Sequence, residues 1–372
     1  MIRLLAFCLC SILWMGSTFD KSRQPFIFED GTRNPLRWPF SVESIWNMPI
    51  GSNAVYVHAQ LERAMGMGLT IDEDYIVMTP DVPLMKINQS TAGWDRQQSR
   101  CIHNGKYLCS LPIPQSFVVS PDTWDGFTPN AGIAVLDTDG RTIRQNQPFA
   151  HCSVGADATS CFIFPEQDLY GPGHGGAHGG SHLSVLGGTL RVGELTPHSG
   201  PVRHALKVNI FARRNIYYDE ETGGHRWPAT VADSYAAREY YKDRKNPVVK
   251  ECRMGALLAL PPEMNIDGMG FETEPAKILA QAFQDYGAYL VDDTAWDVYA
   301  IAVEWGPDGR FNEEFKKHWG FDMNQPKDTP WGRDMDRIFL NLHVVDNNSS
   351  SSIGGGGAPR VALAPPLAKK HR

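Results

Sequence analysis

The stretch AVLDTDGRTIRQ (residues 134–145) decides how this chain is read. Two apolar and β-branched runs flank Asp139-Gly140, a pair suited to the tight turn that joins neighbouring antiparallel strands. DTDG also resembles the start of a calcium loop, but the later ligands of that motif are missing, so a hairpin is predicted. Outward from the hairpin the same texture continues in DYIVM (74–78), SFVVS (116–120), TLRVGEL (189–195) and RHALKVNIF (203–211), each bounded by Gly, Pro, Asn or Asp.

Helical patterning lies mainly outside this region. VHAQLERAMGMG (57–68) predicts a short amphipathic helix stopped by glycine, and ATVADSYAAREYYKDR (229–244) a second one. TEPAKILAQAFQDYG (273–287) is better punctuated, with Thr273 as N-cap, Pro275 in the first turn and Gly287 at the end. AYLVDDTAWDVYAIAV (288–303) reads as two strands around an Asp-rich turn, and 311–320 and 331–343 as short helices. The expected fold is α+β, predominantly antiparallel β, sandwich or jelly-roll-like, with peripheral helices. Residues 1–17 read as a signal peptide, 18–40 as an irregular segment, 41–346 as a single globular domain and 347–372 as a low-complexity, disordered tail.

The signal assignment rests on Arg3 followed by an apolar run too short to span a bilayer, with Gly16 and Ser17 for cleavage. It implies a secreted, extracellular or periplasmic protein with no membrane attachment after processing. Cysteine usage points the same way. CIHNGKYLC and CSVGADATSC each enclose a short polar loop, so Cys101–Cys109 and Cys152–Cys161 are the expected disulfides, with Cys252 free. A net charge of −7 without a basic stripe argues against nucleic acid as a partner. The 10 Trp, 12 Tyr and 17 Phe supply core, and they also suit stacking on sugar rings.

Chemistry concentrates after residue 170. In YGPGHGGAHGGSHLSVLGG (170–188), His174, His178 and His182 stand four apart, the spacing that places two zinc ligands on one face of a helix. Four glycines within nine residues exclude that helix, each costing about 1 kcal/mol in its interior. The stretch reads instead as a turn whose glycines let backbone approach a ligand or adopt positive φ. Zinc, copper or calcium is not required, and no metal ligand is assigned.

Alternation places Glu194 on an otherwise apolar face of TLRVGEL, where burial would raise its carboxyl towards the range of a general acid; pairing with Arg191 or Arg203 is the plainer reading. His204 shares an inward face with Val202, Leu206 and Val208, while Lys207 points the other way. Adjacent β runs would bring Glu194 and His204 into one polar cluster. His225-Arg226-Trp227 suit binding of a carboxylate by guanidinium and stacking on indole. Glu272 and Glu274 sit at a helix start, where the dipole alone explains them. Asp292 and Asp293 stand at a strand end, where paired carboxylates serve as acid and base.

The succession SIWNMPI, GAHGGS, LRVGEL, RHALKV, RWPA, RMGALLAL, YGAYLVDD resembles a group of secreted microbial proteins and, more distantly, a broader set of exported proteins. The resemblance covers most of 41–346 and implies one domain; it brings no established activity. In the broader set an aspartate stands near the place of His178, while Arg191, Glu194, His204 and Asp292 have matches. That ranks residue 178 above His174 and His182 as an acid/base or polar group.

Three functions are expected from these residues. The first is an enzyme cleaving an extracellular polysaccharide. A glycoside hydrolase would use Glu194 with Asp292 or Asp293, and a uronate lyase would use Arg226 or His178 against the substrate carboxylate with His204 or Tyr235 as base. His174, His182, Trp227 and Tyr235 would bind substrate. The second is a non-catalytic carbohydrate-binding protein. The third is a metal-dependent hydrolase centred on the histidine loop.

Overall fold

The computed structural model describes residues 24–94, 99–101, 105–119 and 128–369; the signal assignment over 1–17 lies outside them. Among the described residues one mixed 14-stranded sheet dominates, and about 15% of them are helical. The strands are β1 (Tyr56–His58), β2 (Thr70–Val77), β3 (Leu84–Gln89), β4 (Tyr107–Pro112), β5 (Ile133–Leu136), β6 (Thr142–Ala150) and β7 (Ala158–Ile163). The later ones are β8 (Gln167–Asp168), β9 (Leu206–Ile210), β10 (Leu257–Ala259), β11 (Ala288–Asp293), β12 (Tyr299–Gly306), β13 (Gly309–Arg310) and β14 (His343–Val345). The helices are α1 (Ala212–Asn215), α2 (Ala236–Glu239), α3 (Glu274–Asp285), α4 (Phe311–Trp319) and α5 (Pro330–Phe339).

The hairpin forms where the sequence places it: β5 pairs antiparallel with β6, and Gly140 (φ 64°) donates its N–H to the Asp137 carbonyl. The expectation of a predominantly antiparallel sandwich holds in part: the described residues are β-rich and most strand pairs are antiparallel, but the strands form one large mixed sheet and not a purely antiparallel one. The strand order is β1-β14-β10-β11-β9-β12-β2-β5-β6-β7-β3-β4, and β9–β11, β2–β12, β2–β5 and β3–β7 run parallel. Hydrophobic alternation reports which face a residue occupies, not the direction of the neighbour it pairs with. The two strands read from 288–303 form, as β11 and β12, but β9 lies between them.

The centre of the sheet is buried on both sides. Ala288 and Leu290 of β11 join the core beneath α3, α4 and α5, while Tyr289 and Val291 join a second core on the opposite face with Trp46, Leu186 and Val345. Strands covered on both faces are what parallel pairing requires. A β-bulge between Leu290 and Asp292 shifts the register against β9, so Asp292 pairs with Asn209. Such a bulge re-aims the side chains that follow it.

Local expectations fail where tertiary partners claim the backbone. Residues 57–68 form no helix: after β1, the N–H groups of Ala59, Glu62 and Ala64 donate to Leu342 O, Asn215 Oδ1 and Tyr299 Oη. Only Ala236–Glu239 of the 229–244 segment is helical. TLRVGEL is not a strand. Beyond an isolated bridge from Leu190 to Val303 it turns at Gly193 (φ 95°), and carboxylates of Glu194, Glu304 and Glu314 take the N–H groups of Arg191, Val192 and Gly193. The helix at 273–287 is found as α3 with Thr273 as N-cap, its hydroxyl donating to Asp334.

The C-terminal segment, expected to be disordered, is laid along the N-terminal one. Buried Arg33 donates to Pro365 O (2.5 Å), Phe40 O (2.9 Å) and the carbonyls of Trp38 and Pro39. Arg33 N–H donates to Pro366 O and Ala368 N–H to Arg33 O, both at 2.8 Å. Burial lowers the Arg33 guanidinium to about 10, against a small opposing effect of Glu43. The disulfide also differs from expectation: Cys101 joins Cys152 (Cα–Cα 5.8 Å), and Cys109, Cys161 and Cys252 are free. Cys109 on β4 and Cys161 on β7 face Asn146 and the Gly93 carbonyl instead of the loop cysteines. Among the described residues no helix is long and apolar enough to cross a membrane.

Candidate functional site

The site lies on the face of the sheet opposite the three longer helices. Alternation in β2 puts Asp72 and Asp74 on this face, and alternation in β9 adds Lys207 and Asn209. Lys207 does point away from Leu206 and Val208, as the sequence implies, but into protein and not into water. Its Nζ is sealed and donates to Asp74 Oδ2 (2.7 Å), Ser184 O (2.9 Å) and Val185 O (2.8 Å). Thr189 Oγ1 donates to the same Asp74 oxygen at 2.8 Å. Burial pushes Asp74 up and Lys207 down; in each case the partner charge opposes it.

Above this buried pair the glycine-rich loop folds back on itself. His178 N–H donates to Leu183 O and His182 N–H to His178 O, closing a tight turn through Gly179–Ser181. The His178 side chain, 4% exposed, then sits among three carboxylates: Nε2 is 3.3 Å from Asp72 Oδ2 and 3.9 Å from Asp74 Oδ1, and Nδ1 is 3.8 Å from Asp292 Oδ2. Asp72, 33% exposed, and Asp292, 20% exposed, open the cluster towards solvent. The loop's glycines permit close approach to the protein's own carboxylates. A Cβ at Gly179 would overlap the Asp292 carboxylate, and one at Gly180 would lie 2.8 Å from Asp233 Oδ2 and 3.0 Å from Asp292 Oδ1.

Electrostatics divides these carboxyls. Burial alone would raise Asp72, but hydrogen bonds and charge from His178, with Asn209 Nδ2 (2.8 Å) and Lys207, hold it below its ordinary value. Asp292 goes the other way: burial, then the negative charges of Asp233 and Asp72, raise it well above a normal aspartate. Asp233 is lifted to about 6, chiefly by burial and despite the Tyr240 hydroxyl donating to Oδ2 at 2.7 Å. Asp293 accepts from Ala212 N–H (2.9 Å), Ala295 N–H (3.0 Å) and the Tyr235 hydroxyl (3.1 Å). Burial and the neighbouring aspartates raise the Tyr235 hydroxyl, so it stays protonated and donating.

The other sequence candidates fall elsewhere. Glu194 and His204 do meet, with His204 Nε2 3.1 Å from Glu194 Oε2. They lie before the N-terminal end of β9, whereas Asp292 is at the C-terminal end of the parallel β9–β11 pair. His204 Nδ1 faces the Ala205 carbonyl at 2.9 Å, so both ring nitrogens face acceptors and the ring must carry two protons. Burial disfavours that charge, but Glu194 and the carbonyl outweigh it and His204 titrates above its ordinary value. The Arg191 guanidinium is paired with Glu304, while Glu194 accepts only the Arg191 backbone N–H. Arg226 is committed to Asp346 and to the Glu251 carbonyl. His174 packs edge-on against Trp227 (6.0 Å), and His182 against Phe164 (5.3 Å).

The three loop histidines therefore diverge, which removes the geometry of a metal triad. Among the described residues no group of three or more His, Cys, Asp or Glu side chains is arranged to hold one ion. Sequence reasoning singled out His178, Asp292, Asp293 and Tyr235 and missed Asp72, Asp74, Asp233, Lys207 and Tyr240. The available signal was TIDEDYIV: carboxylates two apart in a β run that ends fully apolar place both on one face of a strand entering the core. Comparison of the chain with family models, curated proteins and solved structures gives no match.

Proposed function

We propose that the protein is a glycoside hydrolase of the exported class, with Asp292 as general acid and Asp72 as general base. The observation that carries this reading is the opposite displacement of two carboxyls on either side of one imidazole: Asp72 is drawn below its ordinary value by His178, and Asp292 is pushed above it by burial and by Asp233. Carboxyls whose surroundings push them apart are the mark of divided acid and base roles. In the reaction Asp292 gives its proton to the glycosidic oxygen as the C1–O bond breaks. Asp72 takes a proton from the water that attacks C1, and the carboxyls then exchange their protons with solvent. His178 holds Asp72 in its charged form, and Asp233 keeps the proton on Asp292 by repulsion.

The hydrolase pair expected from sequence, Glu194 with Asp292, is replaced because those residues stand at opposite ends of β9. The lyase version finds no support. Arg226 is occupied, Tyr235 holds its proton, and His204 is already an imidazolium remote from Asp292. New reducing ends from a panel of polysaccharides, abolished by Asp292→Asn, are the expected result; a broad panel yielding none would overturn the reading.

Binding without turnover is the second reading, favoured by one feature. Trp94 and Phe162, 44% and 46% exposed, stack with centroids 5.7 Å apart and planes at 19°, a flat platform of the kind sugar faces pack on. It predicts glycan affinity lost in Trp94→Ala with no change in glycan length.

A further inference from the structure

At the end of β9 away from the carboxylate cluster lies a cavity of about 230 Å³ that the hydrolase reading does not use. Phe26, Ile27, Trp38 and Pro201 form its apolar wall, and Glu194 and Arg203 add a carboxylate and a guanidinium. Glu194 is held from behind: Oε2 accepts the Arg191 N–H at 2.8 Å and faces His204 Nε2 at 3.1 Å. Its other oxygen, Oε1, has no hydrogen-bond partner among the described residues, and the side chain is 12% exposed. Arg203, directly before His204, is exposed, and its guanidinium makes no hydrogen bond or ion pair among the described residues. A carboxylate and a guanidinium thus line one cavity without meeting each other. That leaves room for a ligand presenting donors to the one and acceptors to the other.

We infer that this cavity binds a free α-amino acid with a large apolar side chain. Its ammonium offers donors to Glu194 Oε1, and its carboxylate accepts from the planar fork of Arg203. Its side chain packs on the wall of Phe26, Trp38 and Pro201, where removing apolar surface from water adds affinity. The volume lies below the roughly 300 Å³ at which pockets for drug-sized ligands begin, which suits a molecule this small. A neutral sugar would leave both charged groups to water. A simple apolar anion would leave Glu194 unanswered, and a simple apolar cation would do the same to Arg203.

Calorimetry on the full chain with phenylalanine tests this against three molecules that each lack one part. Phenylpropionate has no ammonium, phenethylamine has no carboxylate, and glycine has no ring. Each is expected to bind about tenfold more weakly than phenylalanine, the scale of one lost hydrogen bond to a charged group or of a ring left unburied. Arg203→Gln alters an exposed side chain, and should weaken phenylalanine about tenfold while leaving phenethylamine unchanged. Phenylpropionate or phenethylamine binding as tightly as phenylalanine overturns the inference. So does an Arg203→Gln variant that binds phenylalanine undiminished, or the absence of measurable heat with phenylalanine. The comparison of the four molecules on the wild type decides the matter even where a variant fails to fold. None of these measurements involves a glycan, so their outcome is separate from that of the hydrolase reading.

Discussion

Lys207 Nζ stands 2.7 Å from Asp74 Oδ2, with the lysine side chain wholly buried and the aspartate 3% exposed. The pair ties β9 to β2, and through the carbonyls of Ser184 and Val185 it ties both to the loop that carries His178. Removing one member strands a charge without water or partner, which costs about 3–5 kcal/mol. Lys207→Met is expected to lower unfolding stability by that amount in urea titrations. Lys207→Met combined with Asp74→Leu should cost clearly less than the sum of the single changes. Additive losses would show that the two side chains do not act as a pair.

The opposite displacements of Asp72 and Asp292 give activity a definite pH profile. The base must be ionised, so the acidic limb falls through the Asp72 value, below an ordinary aspartate. The acid must be protonated, so activity declines on the alkaline side as Asp292 ionises, above its ordinary value. Asp233→Asn removes a negative neighbour, so Asp292 loses its proton more easily and the alkaline limb moves to lower pH. The pH dependence of kcat/KM on any cleaved glycan measures this, and an unmoved limb would remove Asp233 from the account.

Gly179 leaves no room for a side chain against Asp292. Gly179→Ala is expected to cost about 1–3 kcal/mol through overpacking, and to cut kcat/KM by roughly a hundredfold by displacing the acid. Thermal melting and steady-state kinetics together check it. Unchanged kinetics would mean that Asp292 need not stay where it is.

His204 supplies a pH-dependent term in stability. Its folded value is raised, so its contribution is complete below about pH 6.5, the unfolded value, and is lost as pH rises through the higher folded value. A hydrogen bond to a charged group is worth about 1.5–3 kcal/mol. Melting temperature measured from pH 5 to 9 should therefore fall on the alkaline side in the wild type and flatten in Glu194→Gln.

The Cys101–Cys152 link closes a span of 51 residues. Its removal by Cys101→Ser should lower stability by about 2–4 kcal/mol. Mass mapping of non-reduced peptides should find this pair and free thiols at 109, 161 and 252.

What the sequence revealed follows physical range. The Asp139-Gly140 hairpin and the Thr273-capped helix are set within a few residues of chain, and both were legible. Alternation places Lys207 on the correct side of β9, but it cannot say that the far side is also protein. Asp72 meets His178 across more than a hundred residues, and no local pattern encodes that meeting. TLRVGEL misled because its N–H groups go to carboxylates, and strand propensity is blind to side-chain acceptors. The bulge that re-aims Asp292 is equally silent in YLVDD, although the carboxyls themselves were visible.

The Arg33 socket has a consequence for the order of events during synthesis. A ribosome makes residue 33 more than three hundred residues before Pro365 and Pro366, whose carbonyls complete its ring of acceptors. Arg33 therefore cannot complete its contacts until residues 365 and 366 have been made. A nascent chain halted before residue 365 should hold the segment around Arg33 open to protease, and extension past residue 368 should shut it.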